Sequence, residues 1–163
     1  MKTIPLSQGF VALIDDEDFA RVSQYKWCAL VCKNGRIYAK RHYWVPGGKG
    51  KEKNIMMHRF ILGLPLGRKP DVDHEDHNGL NNQKHNLRVA TRQQNNANQR
   101  KTRGTSQFKG VYWNKNAGKW QAQIKVNGVR HYLGLFTSEA KAAGAYAQAA
   151  VKYFGTFSYT EAI

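Results

Sequence analysis

Apolar and polar positions change rhythm twice along the chain. In residues 1–55 short apolar runs alternate with polar breaks. Residues 10–14 read as a strand, and Asp15 and Asp16 stand where they can cap a short helix starting near Glu17, their carboxylates favoured by its positive end. Residues 27–31 and 37–43 read as a hairpin around Lys33-Asn34-Gly35, where Asn-Gly supplies positive φ. A basic, glycine-rich loop follows at 46–51. In residues 56–99 the apolar runs shorten further. The pattern predicts a short helix at 58–62 closed by Gly63 and Pro65, strands at 72–74 and 87–90 around a turn-rich loop, and a polar helix from an N-cap at Thr91 to Gln99.

After a polar basic linker, 100–107, the period becomes strictly two. Trp120, Ala122, Ile124 and Val126 share one face of a strand; Lys119, Gln121, Gln123 and Lys125 share the other. Asn127-Gly128 makes a turn, after which Arg130 and Tyr132 alternate with His131, Leu133 and Leu135. Ala142, Ala145, Tyr146, Ala149, Ala150 and Tyr153 then recur at helical spacing, so a helix over 138–154 covers the apolar side of three strands. The fold class expected is α+β, in four parts: a small α+β segment (1–55), a strand–loop–strand–helix unit (56–99), the linker (100–107), and a three-stranded antiparallel sheet packed on one helix (108–160).

Composition narrows the partners. The 163 residues are 41% hydrophobic and 12% aromatic, which supports real cores and excludes a disordered basic tail. No run of about 18 apolar residues exists to span a membrane. The N-terminus lacks the apolar stretch of a secretory signal, and two cysteines, Cys28 and Cys32, make no disulfide framework; both point to a reducing cytoplasm. The pair suits zinc less well than it suits a strand interior, since no second pair accompanies it.

The net charge is +15, and +11 of it lies between His77 and Ser138, a stretch without a single acid. A solvated surface mixes signs, so this stretch is read as a track for a polyanion, nucleic acid first. A membrane surface comes second, unsupported by any basic amphipathic helix. The acids gather instead at 15–18 and at Asp71, Asp73, Glu75 and Asp76.

Chemistry concentrates in the middle unit. Asp73-His74, Asn86 and Asn95 give the spacing H-x11-N-x8-N over strand, loop, strand and helix. Folding that helix onto the hairpin is expected to bring Asp73 and Asn95 to one point with His74 beside it. Phosphodiester hydrolysis needs a base near neutral pKa, which histidine supplies, and a divalent cation to neutralise phosphate charge. One carboxylate and one amide carbonyl are hard ligands suited to Mg²⁺, with Mn²⁺ able to substitute. His77 and His85 are candidates for extra ligands but fit ordinary loop positions better. His58 either faces a phosphate or caps its helix, and Arg88 is a second candidate phosphate contact.

Met57-His58-Arg59-Phe60-Ile61-Leu62, Val72-Asp73-His74-Glu75-Asp76, Asn82, Asn86-Leu87-Arg88 and Asn95-Asn96-Ala97-Asn98 resemble the HNH endonucleases of phage and intron homing enzymes, whose fold is the ββα-metal motif. The resemblance implies His74 as general base, Asp73 and Asn95 as metal ligands, and Asn86 as the asparagine that pins the loop and helps position His74. Asn95, where many bacterial relatives carry histidine, is like the homing branch.

Phe108-Lys109-Gly110-Val111, Trp120-Gln121-Ala122-Gln123-Ile124, Leu133-Gly134-Leu135-Phe136, Ala142-Ala143, Ala145-Tyr146, Ala149-Ala150 and Phe154-Gly155 resemble the plant ethylene-response-factor (Apetala-type) DNA-binding domain. The resemblance implies a sheet lying in the major groove, with Lys109, Tyr112, Asn114, Gln123, Lys125, Arg130 and Tyr132 toward DNA; Lys115 and Gln121 are further candidate DNA contacts. Several of these replace the Arg or Trp of the plant domains, so their target sequence does not carry over. The order of both motifs resembles phage HNH endonucleases with such a C-terminal domain. The expected protein is therefore a phage-encoded, Mg²⁺-dependent homing endonuclease in a bacterial host cytoplasm. It acts on double-stranded DNA as a monomer or weak dimer, with no protein partner evident. Rival readings are a non-catalytic DNA-binding regulator on a vestigial nuclease fold, which the complete set Asp73, His74, Asn86, Asn95 argues against, and a structural RNA-binding protein.

Overall fold

A computed structural model describes residues 1–44, 52–67, 69–99 and 104–159. The chain is α+β and folds as two units, residues 1–89 and 90–163. The basic loop at 46–51 and residues 100–103 of the linker lie outside the described residues.

In the first unit, β1 (Lys2–Pro5) pairs antiparallel with β2 (Val11–Ile14), and α1 (Asp16–Val22) follows. A second sheet orders β3 (Cys28–Val31), β4 (Ile37–Trp44) and β5 (Glu52–Met56) with β4 central. Next come α2 (Met57–Ile61), β6 (Asp71–His74) and β7 (Leu87–Ala90), the last two paired with each other. One core unites these elements: Ile4, Ala12, Ile14, Val22 and Trp27 from the N-terminal part bury with Met57, Ile61 and Leu87. Side chains of this kind each contribute roughly 1.5–3 kcal/mol by leaving water. The N-terminal part supplies most of the buried residues of the core on which β6 and β7 sit.

Two strands, β1 and β5, carry too weak an apolar alternation for the sequence pattern to mark them individually. The Asn34-Gly35 hairpin forms with a longer turn, in which only Gly35 takes positive φ (79°) and Asn34 Oδ1 accepts from the Arg36 amide. Cys28 and Cys32 are free and half-buried, Cys32 in that turn rather than in a strand interior. Asp15 occupies the N-cap of α1 but makes no side-chain cap bond. Its carboxylate accepts instead from Gln83 Nε2 (3.1 Å) and the Lys84 amide (2.7 Å).

The second unit opens with α3 (Arg92–Ala97). β8 (Val111–Asn114), β9 (Lys119–Val126) and β10 (Val129–Phe136) form a sheet with β9 central, and α4 (Glu139–Phe154) covers one side of it. Val111, Ala122, Ile124, Ala142, Tyr146 and Ala150 make the interior, and the sequence periodicity predicts all of these but Val111. Asn127 and Gly128 both take positive φ (50° and 86°), as a tight hairpin turn requires. Gly110 is obligatory: its φ is 72°, and a Cβ there would stand 2.1 Å from the Tyr146 ring.

Leu135 departs from the expected alternation. The β9–β10 register slips between Tyr132 and Gly134, so Leu133 points inward while Leu135 pairs opposite Gln121 and is 39% exposed. A one-residue bulge exchanges the two faces beyond it.

Candidate active site

The loop between β6 and β7 is rigid because its polar groups satisfy one another. Asn86, 4% exposed, donates through Nδ2 to Asp76 Oδ1 (2.9 Å) and to the Asn81 carbonyl (2.8 Å), while its Oδ1 accepts from the Asp76 amide (3.0 Å). Asp76 also accepts from the Asn78 amide and from Asn81 Nδ2, both at 2.8 Å. Burial pushes the Asp76 pKa up, but the bonds from Asn81, Asn78 and Asn86, with the charge of His74, outweigh it and hold the carboxyl below its ordinary range. From the other side β2 clasps the loop: the Leu13 amide donates to the Leu80 carbonyl and the Asn82 amide to the Leu13 carbonyl, each at 2.8 Å. Asp76, which had no assignable role in the sequence, is the staple of this loop.

His74 ends β6 and is 6% exposed. Two rings enclose it. The His58 ring lies at 5.1 Å between centroids, nearly perpendicular, and the Tyr38 ring at 5.8 Å. Tyr38 in turn meets His58 edge-on at 6.1 Å. Gly79 lets the loop backbone lie directly against this ring cluster, since a Cβ there would meet the Ile37 carbonyl at 2.3 Å and the Tyr38 ring at 2.5 Å. Burial lowers the His74 pKa; Asp76, a hydrogen bond with Asn82, and Asp73 oppose it, and the net lies below the ordinary imidazole value. His58 is driven down to about 3 by burial and by the like charges of His74 and Arg59. Its Nδ1 has no hydrogen-bond partner among the described residues. His58 therefore neither caps α2 nor carries charge at neutral pH; it is a neutral wall of the His74 pocket. Tyr38 belongs to this site too, and nothing local in the sequence marks it.

Asp73 is 5% exposed, and its Oδ2 accepts from Arg88 Nη2 at 2.6 Å. Arg88 Nη1 reaches Glu75 at 3.4 Å, so this guanidinium is shared between two carboxylates of the acidic cluster. Beneath α2, the buried Arg59 donates to the carbonyls of Pro65, Lys69 and Pro70 and anchors the loop leading into β6. Among the described residues no three of His, Cys, Asp and Glu converge as a metal cluster, and His77 and His85 belong to none. A carboxylate plus an amide carbonyl is nevertheless a fitting donor set for a hard cation that keeps most of its waters, and Arg88 fixes the orientation of the carboxylate.

Asn95 lies in the second unit, half-buried on α3. That helix begins with a full capping box: Thr91 accepts from the Gln94 amide at 3.2 Å and Gln94 Oε1 accepts from the Thr91 amide at 2.9 Å. On the sheet, Tyr112, Asn114, Gln121, Gln123, Lys125, Arg130 and Tyr132 share the face turned away from α4, and the bulge adds Leu135. Tyr112 donates to Gln123 (3.3 Å) and Asn114 to Gln121 (2.7 Å), which sets the amide orientations. Lys115 is exposed in the β8–β9 turn. Lys109 is placed differently: its ammonium donates to the carbonyls of Asn96, Ala97 and Gln99 at 2.8, 2.7 and 2.9 Å.

Comparison with known proteins gave two results. No family model matches the chain. The chain is 34% identical over 155 residues to a protein of Acanthamoeba polyphaga mimivirus named an uncharacterized HNH endonuclease, covering 93% of this chain and 74% of that protein.

Proposed function

The chain belongs to the HNH endonuclease family, and on that premise we propose that it is a metal-dependent endonuclease of homing type that hydrolyses duplex DNA at a preferred site. The observation that carries the catalytic part is His74. It is buried, its pKa is lowered, and its loop is locked by Asn86 and Asp76. A neutral imidazole at working pH can take the proton from an attacking water. Its Tyr38 and His58 walls hold the ring and exclude bulk solvent from it. In-line attack on phosphorus then leaves 5′-phosphate and 3′-hydroxyl ends.

Asp73 and Asn95 would hold Mg²⁺, or Mn²⁺ in its place. Such a cation, when bound, neutralises charge on the phosphate and the departing oxygen. Arg88 keeps the Asp73 carboxylate oriented and, shared as it is with Glu75, serves the site better as a brace than as a phosphate contact.

The β8–β10 sheet supports the reading half of the proposal. Lys125, Arg130, Gln121 and Gln123 offer donors of the kind that pair with guanine and adenine edges, while Tyr132 and Leu135 offer apolar contact to thymine methyls. The resemblance to the Apetala-type domain rests on the sequence alone, and it is the arrangement of these side chains on one sheet face that supports the reading role. One cation site per chain cuts one strand per visit, so the proposed product is a nick unless two chains act together.

The test is His74→Ala. Cleavage of duplex DNA should fall at least a thousandfold, while binding to the same duplex in a gel-shift assay stays within about threefold. Retained cleavage removes His74 from catalysis. Lost binding makes it structural instead.

A further inference from the structure

Lys109 stands at the position where the Apetala-type resemblance expects a DNA contact, yet its side chain is committed elsewhere. Three carbonyl oxygens at the end of α3 receive its ammonium, all within 2.9 Å. The last carbonyls of a helix are orphaned, and the negative pole of the helix favours a cation there. α3 has only six residues, far below the ~12–15 at which a helix is even marginal by itself. Two further bonds tie it to the same body: the Asn127 amide of the β9–β10 turn donates to Gln93 Oε1 (3.1 Å), and the Tyr159 amide to the Ala97 carbonyl (3.3 Å).

We propose that Lys109 is a positioning residue: through it the sheet domain keeps α3 formed, and with α3 holds Asn95, one of the two proposed cation ligands, on an ordered helix. The reader thereby does more than find the site. It completes the helix that carries one of the two proposed ligands, so that recognition and cutting share one rigid element. The cleavage arm of the test rests on the nuclease reading; the exchange arm does not.

Lys109→Met keeps the stem and removes the charge, and Lys109→Arg restores it. In the full-length protein, amide hydrogen exchange at Asn95 and Asn98, which donate to Thr91 and Gln94, should accelerate at least tenfold in Lys109→Met and return toward wild type in Lys109→Arg. Exchange in the β9–β10 hairpin should stay within twofold. Mn²⁺ affinity by calorimetry without DNA should fall at least fivefold. At saturating DNA, kcat should fall at least tenfold, while the DNA Kd in EDTA changes less than threefold. The opposite split, a Kd raised tenfold with kcat and Asn95 exchange unchanged, makes Lys109 a DNA contact and overturns the proposal. If Lys109→Met loses protection throughout the unit, Gln93→Ala carries the same expectation with Lys109 in place; unchanged Asn95 exchange there overturns it. A wild type that binds Mn²⁺ and shows the exchange pattern but cuts nothing would sink the nuclease reading and leave the clamp standing.

Discussion

At the scale of single residues, the site depends on histidines kept neutral by burial. For His58 the folded value of about 3 lies well under the unfolded 6.5, so the unfolded chain binds the proton first. Its contribution to stability is complete above pH 6.5 and is lost as pH falls toward 3, by about 1.4 kcal/mol per unit. Denaturant unfolding at pH 7 and pH 5 should therefore differ by about 2 kcal/mol through this residue alone, and His58→Gln should remove that part of the difference. Asn86 gives a second residue-level expectation. Asn86→Ala strands the Asp76 amide and the Asn81 carbonyl, and should cost about 2–4 kcal/mol of stability. Asp73, His74 and Asn86 could be picked out from the chain because their spacing is local to one hairpin. Tyr38 could not, being brought to His74 by a strand from far earlier in the chain. Nor could the capture of Lys109, since charge alone does not say whether an ammonium meets DNA or a helix end.

At the scale of elements, periodicity carried far where one face is buried. The β9 alternation, the Thr91 cap and the Asn127-Gly128 turn formed where the pattern put them, and so did the α4 stripe except at its end, where Tyr153 is 41% exposed and stacks on His131. It failed where a strand is paired but only weakly patterned, as in β1 and β5, and at the β10 bulge, which no alternation rule can foresee. It failed again at Asp15, whose carboxylate left its own helix for a loop 68 positions away. Two glycines test how closely these elements approach one another. Gly79→Ala should push the loop off Tyr38 and reduce cleavage more than stability, since the collision is with the wall of the His74 pocket. Gly110→Ala combines positive φ with a collision against Tyr146, and should destabilise the sheet domain by more than about 2 kcal/mol in a thermal melt.

At the scale of the whole molecule, the excess charge acquires an address. The acid-free stretch from His77 to Ser138 runs through β7 and α3 and takes in the three-stranded sheet, the part proposed to read DNA. If about 6–8 phosphates are neutralised, the slope of log affinity against log salt should be about −5 to −7. The acids divide their labour within the first unit: Asp76 staples a loop, Asp73 and Glu75 share Arg88, and Asp15 ties the N-terminal part to Gln83 and Lys84. A chain ending at Gln107 would lack Lys109, Asn127 and Tyr159, and so the supports of α3. It is expected to lose both site preference and metal-dependent nicking, although the first unit retains its own core. The central claim is metal-dependent cleavage of DNA by His74. Supercoiled plasmid incubated with excess protein should convert to relaxed circles in Mg²⁺ and remain supercoiled in EDTA or with His74→Ala. Plasmid that stays supercoiled with the wild-type protein in both Mg²⁺ and Mn²⁺, while being bound, would contradict the account.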